Sequence, residues 1–414
     1  AKNAHEKYNG SLEDLKRTTP DMKRQSQFQE QLAKAKTELE EALKAAGSDP
    51  VLLHMAKQTY DKVVAEVQAL AAADAAKNYP LDEKKIIERI IYIEGAGCYG
   101  RNGHEDAAAD AGMLSQAMGR PVRVQWMRQD EHGWDPKAPP YVADLEGALD
   151  ASGTVVAWNF VTWLPSRIGG TADVPLLAQS LVEGDAAVQA ADNMNPGTME
   201  SDAKPPYTFP NVLSTIHKTA TTPFRPSWLR SPGRLQNTYA NECFMDELAA
   251  AAGADPVAFR LKHLKDDRGA DCIMACAKAA GWQTRLSPNN KAGTGDFVTG
   301  RGFSYVFYDN TRTYVSAVCE VEVNRKGGQV RATRFFVAHD CGLIINPDGV
   351  KAQIEGGIIQ TLSRTLIEEV KWDASHVTSL DWASYPLITF DAVPKIEITL
   401  IARPDKPAWG AGAP

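Results

Sequence analysis

The chain has 414 residues, 43% of them hydrophobic and 23% charged, with a formal net charge of -7. That length holds two or three ordinary domains, each able to bury its own core. The acidic balance argues against a surface built for a phosphate backbone, and no apolar run reaches the roughly 18 to 20 residues of a membrane span, so the expected partners are proteins or small molecules.

Six cysteines, Cys98, Cys243, Cys272, Cys276, Cys319 and Cys341, are scattered along the chain without a C-x-x-C pair. That spacing implies no disulfide framework, zinc ribbon or cysteine-ligated cluster. Electrons, if handled, must leave through another subunit. The chain begins at Ala1 with neither a basic n-region nor an apolar h-region, so any leader is expected to be cleaved or absent.

Residues 1–80 are rich in Ala, Lys, Glu and Gln and predict a helical hairpin. Phe28, Leu32, Ala35, Leu39 and Leu43 share one stripe; Gly47 suits a left-handed cap, Asp49 an N-cap and Pro50 the first helical position; Leu53, Ala56, Tyr60, Val63, Val67 and Leu70 form a second stripe. A stripe of this kind is normally core, so the hairpin is given a structural or oligomer-contact role and no chemistry. Beyond Tyr79-Pro80 the texture changes, and Ile90 to Ile93 predicts a strand that feeds the glycine-rich run Gly95-Ala96-Gly97-Cys98-Tyr99-Gly100-Arg101-Asn102-Gly103. A helix is expected over Glu105 to Met118 and a strand over Val122 to Trp126. Period-two alternation predicts strands at Gly153 to Thr162, Tyr314 to Val323 and Gln329 to Val337, and helical spacing predicts Asn241 to Ala252, Pro256 to Leu264 and Val350 to Glu369. Pro165 to Pro226, full of Pro, Gly, Asn and Asp, reads as mostly irregular.

Gly95-x-Gly97-x-x-Gly100 after a strand invites a dinucleotide-binding reading, because glycines let backbone N–H groups approach phosphate. The acidic residue such a site needs at the end of the next strand is missing, where Trp126-Met127-Arg128 stands. A glycine turn needed only for packing is the plainer alternative. Two further segments shift the balance. One is Leu229-Arg230-Ser231-Pro232-Gly233 followed by the acidic helix Asn241 to Leu248; the other is His339-Asp340-Cys341-Gly342 through Asn346-Pro347, leading into Gln353-Ile354-Glu355-Gly356-Gly357-Ile358-Ile359-Gln360. Two glycines inside a helix cost about 1 kcal/mol each relative to alanine, so something must approach that backbone closely, a cofactor or another helix.

In this order the glycine turn, the R-S-P-G segment with its acidic helix, the G-x-x-x-N-P turn and the Q-x-E-G-G helix resemble the molybdopterin-binding subunit of the xanthine oxidase family. The likeness runs from about residue 85 to the last residue, and the run G-A-G-C-Y-G-R-N-G followed by R-P-V-R-V-Q-W-M-R is similar to the nicotinate dehydrogenase and isoquinoline oxidoreductase branch. Ser384-Tyr385-Pro386 and Asp405-Lys406-Pro407 before Gly410-Ala411-Gly412 extend it.

The resemblance implies an α+β fold of mixed sheets with packed helices, one cofactor-binding lobe over 81–230 and a second over 231–414. It implies molybdopterin with molybdenum, in the plain or cytosine-dinucleotide form, lined by Gly97, Cys98, Tyr99, Gly100, Gln353, Glu355, Gly356 and Gly357, with Gln360 nearby and Arg230 over the substrate end. No metal-ligating side chains are implied. The implied chemistry is hydroxylation of an N-heterocyclic aromatic or an aldehyde with water as oxygen source. A [2Fe-2S] iron-sulfur subunit and a cytochrome c subunit would carry electrons away, in a bacterial cytoplasm or periplasm. Trp134, Phe224, Trp228 and Tyr308 are candidate aromatic walls for a flat ring, set against the commoner fate of aromatics as core.

The likeness breaks at both ends. Where the family keeps a base glutamate after G-x-G, this chain has Ala413, and a helical hairpin stands where the family has a β-rich domain. A missing general base removes about 10² to 10⁴ in rate. An engineered or degenerate chain, a fragment of a longer protein, or a sequence read imperfectly at its ends would each account for both; the last two are favoured because both departures lie at the ends, and the intact protein is expected to be the hydroxylase. A catalytically silent interaction homologue and a nicotinamide-dependent dehydrogenase are the competing classes, separated by metal and pterin content.

Overall fold

The computed structural model describes residues 33–34, 36–45, 99, 106–165, 202–219, 229–231, 233–288, 293–374 and 376–414. The chain divides into two units, the first comprising 1–95, 106–125 and 176–184 and the second 96–105, 126–175 and 185–414. In the first unit residues 36–45 are helical, and α1 spans Asp106–Met118. The rest of the expected hairpin, like the strand expected at Ile90 to Ile93, lies outside the described residues. The strand expected over Val122 to Trp126 does not form: its residues alternate between half-buried and exposed but join no described sheet. Alternation records which side chains meet an apolar surface, whereas a strand also needs an edge to pair with.

The second unit is α+β. It opens with a short helix, α2 (Arg128–Trp134). β1 (Val142–Leu149), β2 (Val155–Pro165) and β3 (Asn211–Thr219) form a three-stranded sheet in which β2 runs antiparallel to β1 and parallel to β3. β3 lies inside the segment read as irregular; its sequence Asn-Val-Leu-Ser-Thr-Ile-His-Lys-Thr has no clean alternation, and pairing with β2 decides it. Three helices follow, α3 (Arg234–Ala251), α4 (Pro256–His263) and α5 (Asp267–Ala279). α3 begins seven residues before the expected Asn241, because the turn at Ser231 and Gly233, both at positive φ, releases the chain straight into helix. Asp255 caps α4 by accepting from Val257 and Ala258 with Pro256 in the first turn, and Asp266 caps α5 in the same way.

A second sheet has the order β4 (Phe297–Phe307), β5 (Tyr314–Asn324), β6 (Val330–Asp340), β7 (Lys395–Leu400), the first three antiparallel and β7 parallel to β6. Between β6 and β7 runs α6 (Pro347–Leu366), capped by Asn346, whose side chain accepts from the Gly349 amide at 2.9 Å. The Asn-Pro dipeptide is therefore a helix start. The core joins both sheets to the helices: Trp158 and Phe160 from β2, Met245 from α3, Cys272, Ile273 and Cys276 from α5, and Phe303, Tyr305 and Phe336 from the second sheet. Burying side chains of this size contributes roughly 1.5–3 kcal/mol each. Arg260 anchors the same core as a fully buried cation, donating from Nε to Glu242 at 2.8 Å, while Glu242 also accepts from Tyr207 Oη and the Tyr305 amide, each at 2.7 Å. Cys272 and Cys276 are buried, their thiols donating to the Ala338 and Phe336 carbonyls. Cys243 is exposed.

Candidate functional site

Alternation along the second sheet builds the site. Tyr314, Ser316 and Val318 of β5 and Phe336 and Ala338 of β6 are buried on the face that meets α5. The intervening residues Val315, Ala317, Cys319 and Val321, with Phe335, Val337 and His339, point the other way and border a cavity of about 450 Å³. α6 closes it from the opposite side with Gln353, Ile354, Gly357, Ile358 and Thr361, a stripe at helical spacing. Arg230, Ser231 and Arg234 and the last four residues, Ala411 to Pro414, also line it.

Arg230 is the hub of the polar end. Its amide donates to the Tyr99 carbonyl at 2.8 Å, fixing the backbone, and its guanidinium lies 5.7 Å from the Tyr99 ring centroid. Nη2 donates to the Gln353 carbonyl at 2.7 Å and to Gln353 Oε1 at 3.2 Å, and Nε donates to the Gly412 carbonyl. What approaches the glycine pair of α6 is this guanidinium: a Cβ on Gly357 would lie 3.3 Å from Nη2, and one on Gly356 3.6 Å from Nη1. All these acceptors are uncharged, so among the described residues no carboxylate is paired with the cation. Burial lowers the Arg230 pKa, Tyr99 opposing and the nearby Arg364 charge adding to the effect.

The C-terminal segment is held beside Arg230 by the His-Asp-Cys-Gly motif. Gly342 has φ +76°, and a Cβ there would fall 1.9 Å from the Pro407 carbonyl oxygen. This close approach lets Leu343 donate to Lys406 at 3.2 Å and Trp409 to Cys341 at 2.9 Å. Further on, Thr313 Oγ1 donates to Gly410 at 3.2 Å and Ser231 Oγ to Ala413 at 2.6 Å. Asp340 is fully buried; burial would raise its pKa, but Arg268, the Gly342 amide and Arg403 together hold it below the usual carboxylate range. His339 is also fully buried, with neither ring nitrogen hydrogen-bonded among the described residues. Burial pushes its pKa down to about 4, against a smaller opposing pull from Asp340, and keeps the imidazole neutral.

Arg230, Gln353, Gly357 and Ala413 thus border one cavity, with Gly356 and Tyr99 against Arg230. Gly97, Cys98 and Gly100 lie outside the described residues. Glu355 is exposed, Gln360 is half-buried, and neither lines the cavity. Of the candidate aromatic walls Tyr308 borders it, stacked 4.7 Å beneath Arg234; Trp134 is exposed and stands elsewhere; Phe224 and Trp228 lie outside the described residues. Ser231, His339 and Arg364 are lining residues that sequence reasoning did not single out, although Ser231 and His339 sit inside the motifs it quoted. Among the described residues no group of three or more His, Cys, Asp or Glu side chains is placed to hold a metal ion. No helix among them is long and apolar enough to cross a membrane.

Two family models, both for a molybdopterin cofactor-binding domain, match residues 95–264 and 245–394. A nicotinate dehydrogenase subunit from Pseudomonas putida is 40% identical over 350 residues, which is 83% of this chain and 28% of that protein. The beta subunit of isoquinoline 1-oxidoreductase from Brevundimonas diminuta is 31% identical over 74% of this chain and 36% of its own length. The chain therefore spans about a third of the length of these relatives. Among solved structures, quinoline 2-oxidoreductase from Pseudomonas putida 86 aligns with a TM-score of 0.62 at 14% identity, covering 77% of this chain and 63% of that one. Aldehyde oxidoreductase from Desulfovibrio gigas aligns with a TM-score of 0.58 at 15% identity over 77% of this chain and 50% of that one.

Proposed function

Because the chain belongs to the molybdopterin cofactor-binding domain family, we propose that it is the cofactor-binding part of a molybdenum hydroxylase acting on an N-heterocyclic aromatic or an aldehyde. The observation that carries this reading is the convergence of Arg230, the Gln353 and Gly357 face of α6 and the Gly412-Ala413 tail on one cavity. A volume of about 450 Å³ falls in the usual range for cofactor and substrate sites. Its donor set suits an oxygen-rich, anionic group such as molybdopterin: the Arg230 guanidinium, brought close to α6 by the two glycines and paired with no carboxylate among the described residues, and the Gln353 side-chain amide. Gln353, Gly356, Gly357 and Arg230, with Tyr99 and its neighbours Gly97, Cys98 and Gly100, would hold it, in the plain or the cytosine-dinucleotide form.

When bound, the cofactor supplies the redox chemistry of hydroxylation with water. Arg230 orients an electron-rich ligand through its charge, and Val315, Ala317, Val337, Ile354 and Ile358 make an apolar wall that excludes water. At Ala413 the side chain is a methyl group, which neither accepts nor holds a proton, so the chain as written positions ligands better than it removes their protons. Both the nicotinate dehydrogenase and the isoquinoline oxidoreductase relatives are named as subunits; this chain is proposed to pass electrons to a [2Fe-2S] subunit and a cytochrome c subunit. The test is to produce the protein in a bacterium that makes molybdopterin and to measure molybdenum and oxidised-pterin fluorescence per chain. Stoichiometric metal and pterin are expected; protein that carries neither under conditions that load its relatives overturns the proposal.

A further inference from the structure

A second cavity, of about 190 Å³, shares Arg230, Ser231, Leu235, Thr361, Arg364 and Thr365 with the first and adds Gln236. Its lining contains two arginines and no carboxylate. Arg364 comes from the last turn of α6, where its Nη2 reaches only Thr361 Oγ1, at 3.4 Å, and its Nε is buried without a partner among the described residues. The carboxylate one helical turn away, Glu368, accepts instead from Tyr385 Oη at 2.8 Å. Gln236 Oε1 is likewise buried without a partner, and turning that amide offers its NH2 to an anion. Two guanidinium groups therefore share a partly dry pocket whose described lining carries no carboxylate, Glu368 acting on Arg364 only from outside it, an arrangement that costs energy until an anion enters. Burial lowers the pKa of both; the Arg364 charge depresses Arg230 further, while Glu368 and Tyr385 oppose the shift at Arg364.

We propose that Arg364 and Arg230 form an oxyanion-binding pocket, filled by the carboxylate of a planar heteroaromatic acid or by a phosphate group. The choice of a heteroaromatic ring rests on the hydroxylase reading above; the pocket itself does not. Arg364 is then a specificity residue that favours acids over their neutral analogues.

The test is calorimetric titration of the full chain with nicotinate, with nicotinamide, which keeps the ring but not the charge, and with inorganic phosphate. A charge-assisted pair in a half-buried site gives about a tenfold or greater preference for nicotinate over nicotinamide. Arg364→Met is expected to remove that preference by weakening nicotinate about tenfold more than nicotinamide, and Arg364→Lys to keep part of it. On the unmodified chain, where no variant has to fold, the preference should shrink as salt rises. Phosphate that displaces nicotinate and binds more tightly assigns the pocket to a phosphate-bearing ligand; phosphate that fails to displace it assigns the pocket to the carboxylate. Equal binding of nicotinate and nicotinamide by the unmodified chain, or an unchanged preference in Arg364→Met, overturns the proposal. A chain that carries no molybdenum yet keeps the preference refutes the hydroxylase reading and leaves the pocket standing.

Discussion

Replacing Gly342 by alanine tests how the site is assembled. The residue has φ +76°, a conformation that costs an L-residue roughly 1–2 kcal/mol. The added Cβ would also lie 1.9 Å from the Pro407 carbonyl oxygen, where real contacts do not fall below 3.0 Å, so the tail must retreat by about 1.1 Å, the difference between those distances. That displacement breaks the Leu343 to Lys406 and Trp409 to Cys341 hydrogen bonds, each worth about 1 kcal/mol. The total, on the order of 3 kcal/mol, matches what a short docked segment can lose before it undocks. Gly410 to Ala413 then leave Thr313, Arg230 and Ser231. Hydrogen exchange reads this directly: the Trp409 and Leu343 amides should lose roughly a hundredfold in protection. Gly410→Ala, whose Cβ would meet nothing within 4 Å, is the control and should be silent. Unchanged protection at Trp409 in Gly342→Ala would refute the claim that this glycine docks the tail.

The remaining predictions concern chemistry and pH. Ala413→Glu places a carboxylate at the cavity lining, and in the protein loaded with its cofactor it is expected to raise turnover by about 10² to 10⁴; turnover measured with an artificial electron acceptor and found unchanged would remove Ala413 from the catalytic position. His339, whose folded pKa of about 4 lies below its ordinary 6.5, takes up a proton more readily when unfolded. Its contribution is therefore complete above pH 6.5 and lost as pH falls toward 4, on the order of 3 kcal/mol in all. Urea unfolding across this range should show a slope that His339→Leu flattens. Asp202, buried and raised to about 7 with burial as the main cause, acts in the opposite sense: its contribution is present below its unfolded value and lost as pH rises through 7. Asp202→Asn should abolish that decline; curves that keep their slopes in both variants would contradict these assignments.

Much of the local structure was legible before any fold was known, because short-range chemistry is written in the chain. Asp255-Pro256 announces a helix start that forms where expected, since cap and proline act within one turn, whereas Asn346-Pro347, read as a turn, starts its helix three residues before the expected Val350. The strands at Val155–Pro165, Tyr314–Asn324 and Val330–Asp340 follow from alternation over a half-buried sheet. The same signal misled at Val122 to Trp126, where alternation exists without a partner edge, and gave no warning of β3, whose pairing with β2 is supplied by a strand more than 40 residues earlier in the chain. Arg230, Gln353, Gly356 and Gly357 were singled out through the resemblance their motifs carry, and the structure brings Arg230 against all three.

The amino-acid sequence by itself determined the family, the α+β class, the helix start at Pro256 and the motif residues, because each is carried by side chains close together along the chain. Only the tertiary structure decided what those residues touch. It set Arg230 against the α6 glycines 123 residues or more away, docked the tail on Gly342 and left Arg364 facing a second cation. Contacts between distant segments depend on how sheet and helix pack, and no local pattern encodes that packing.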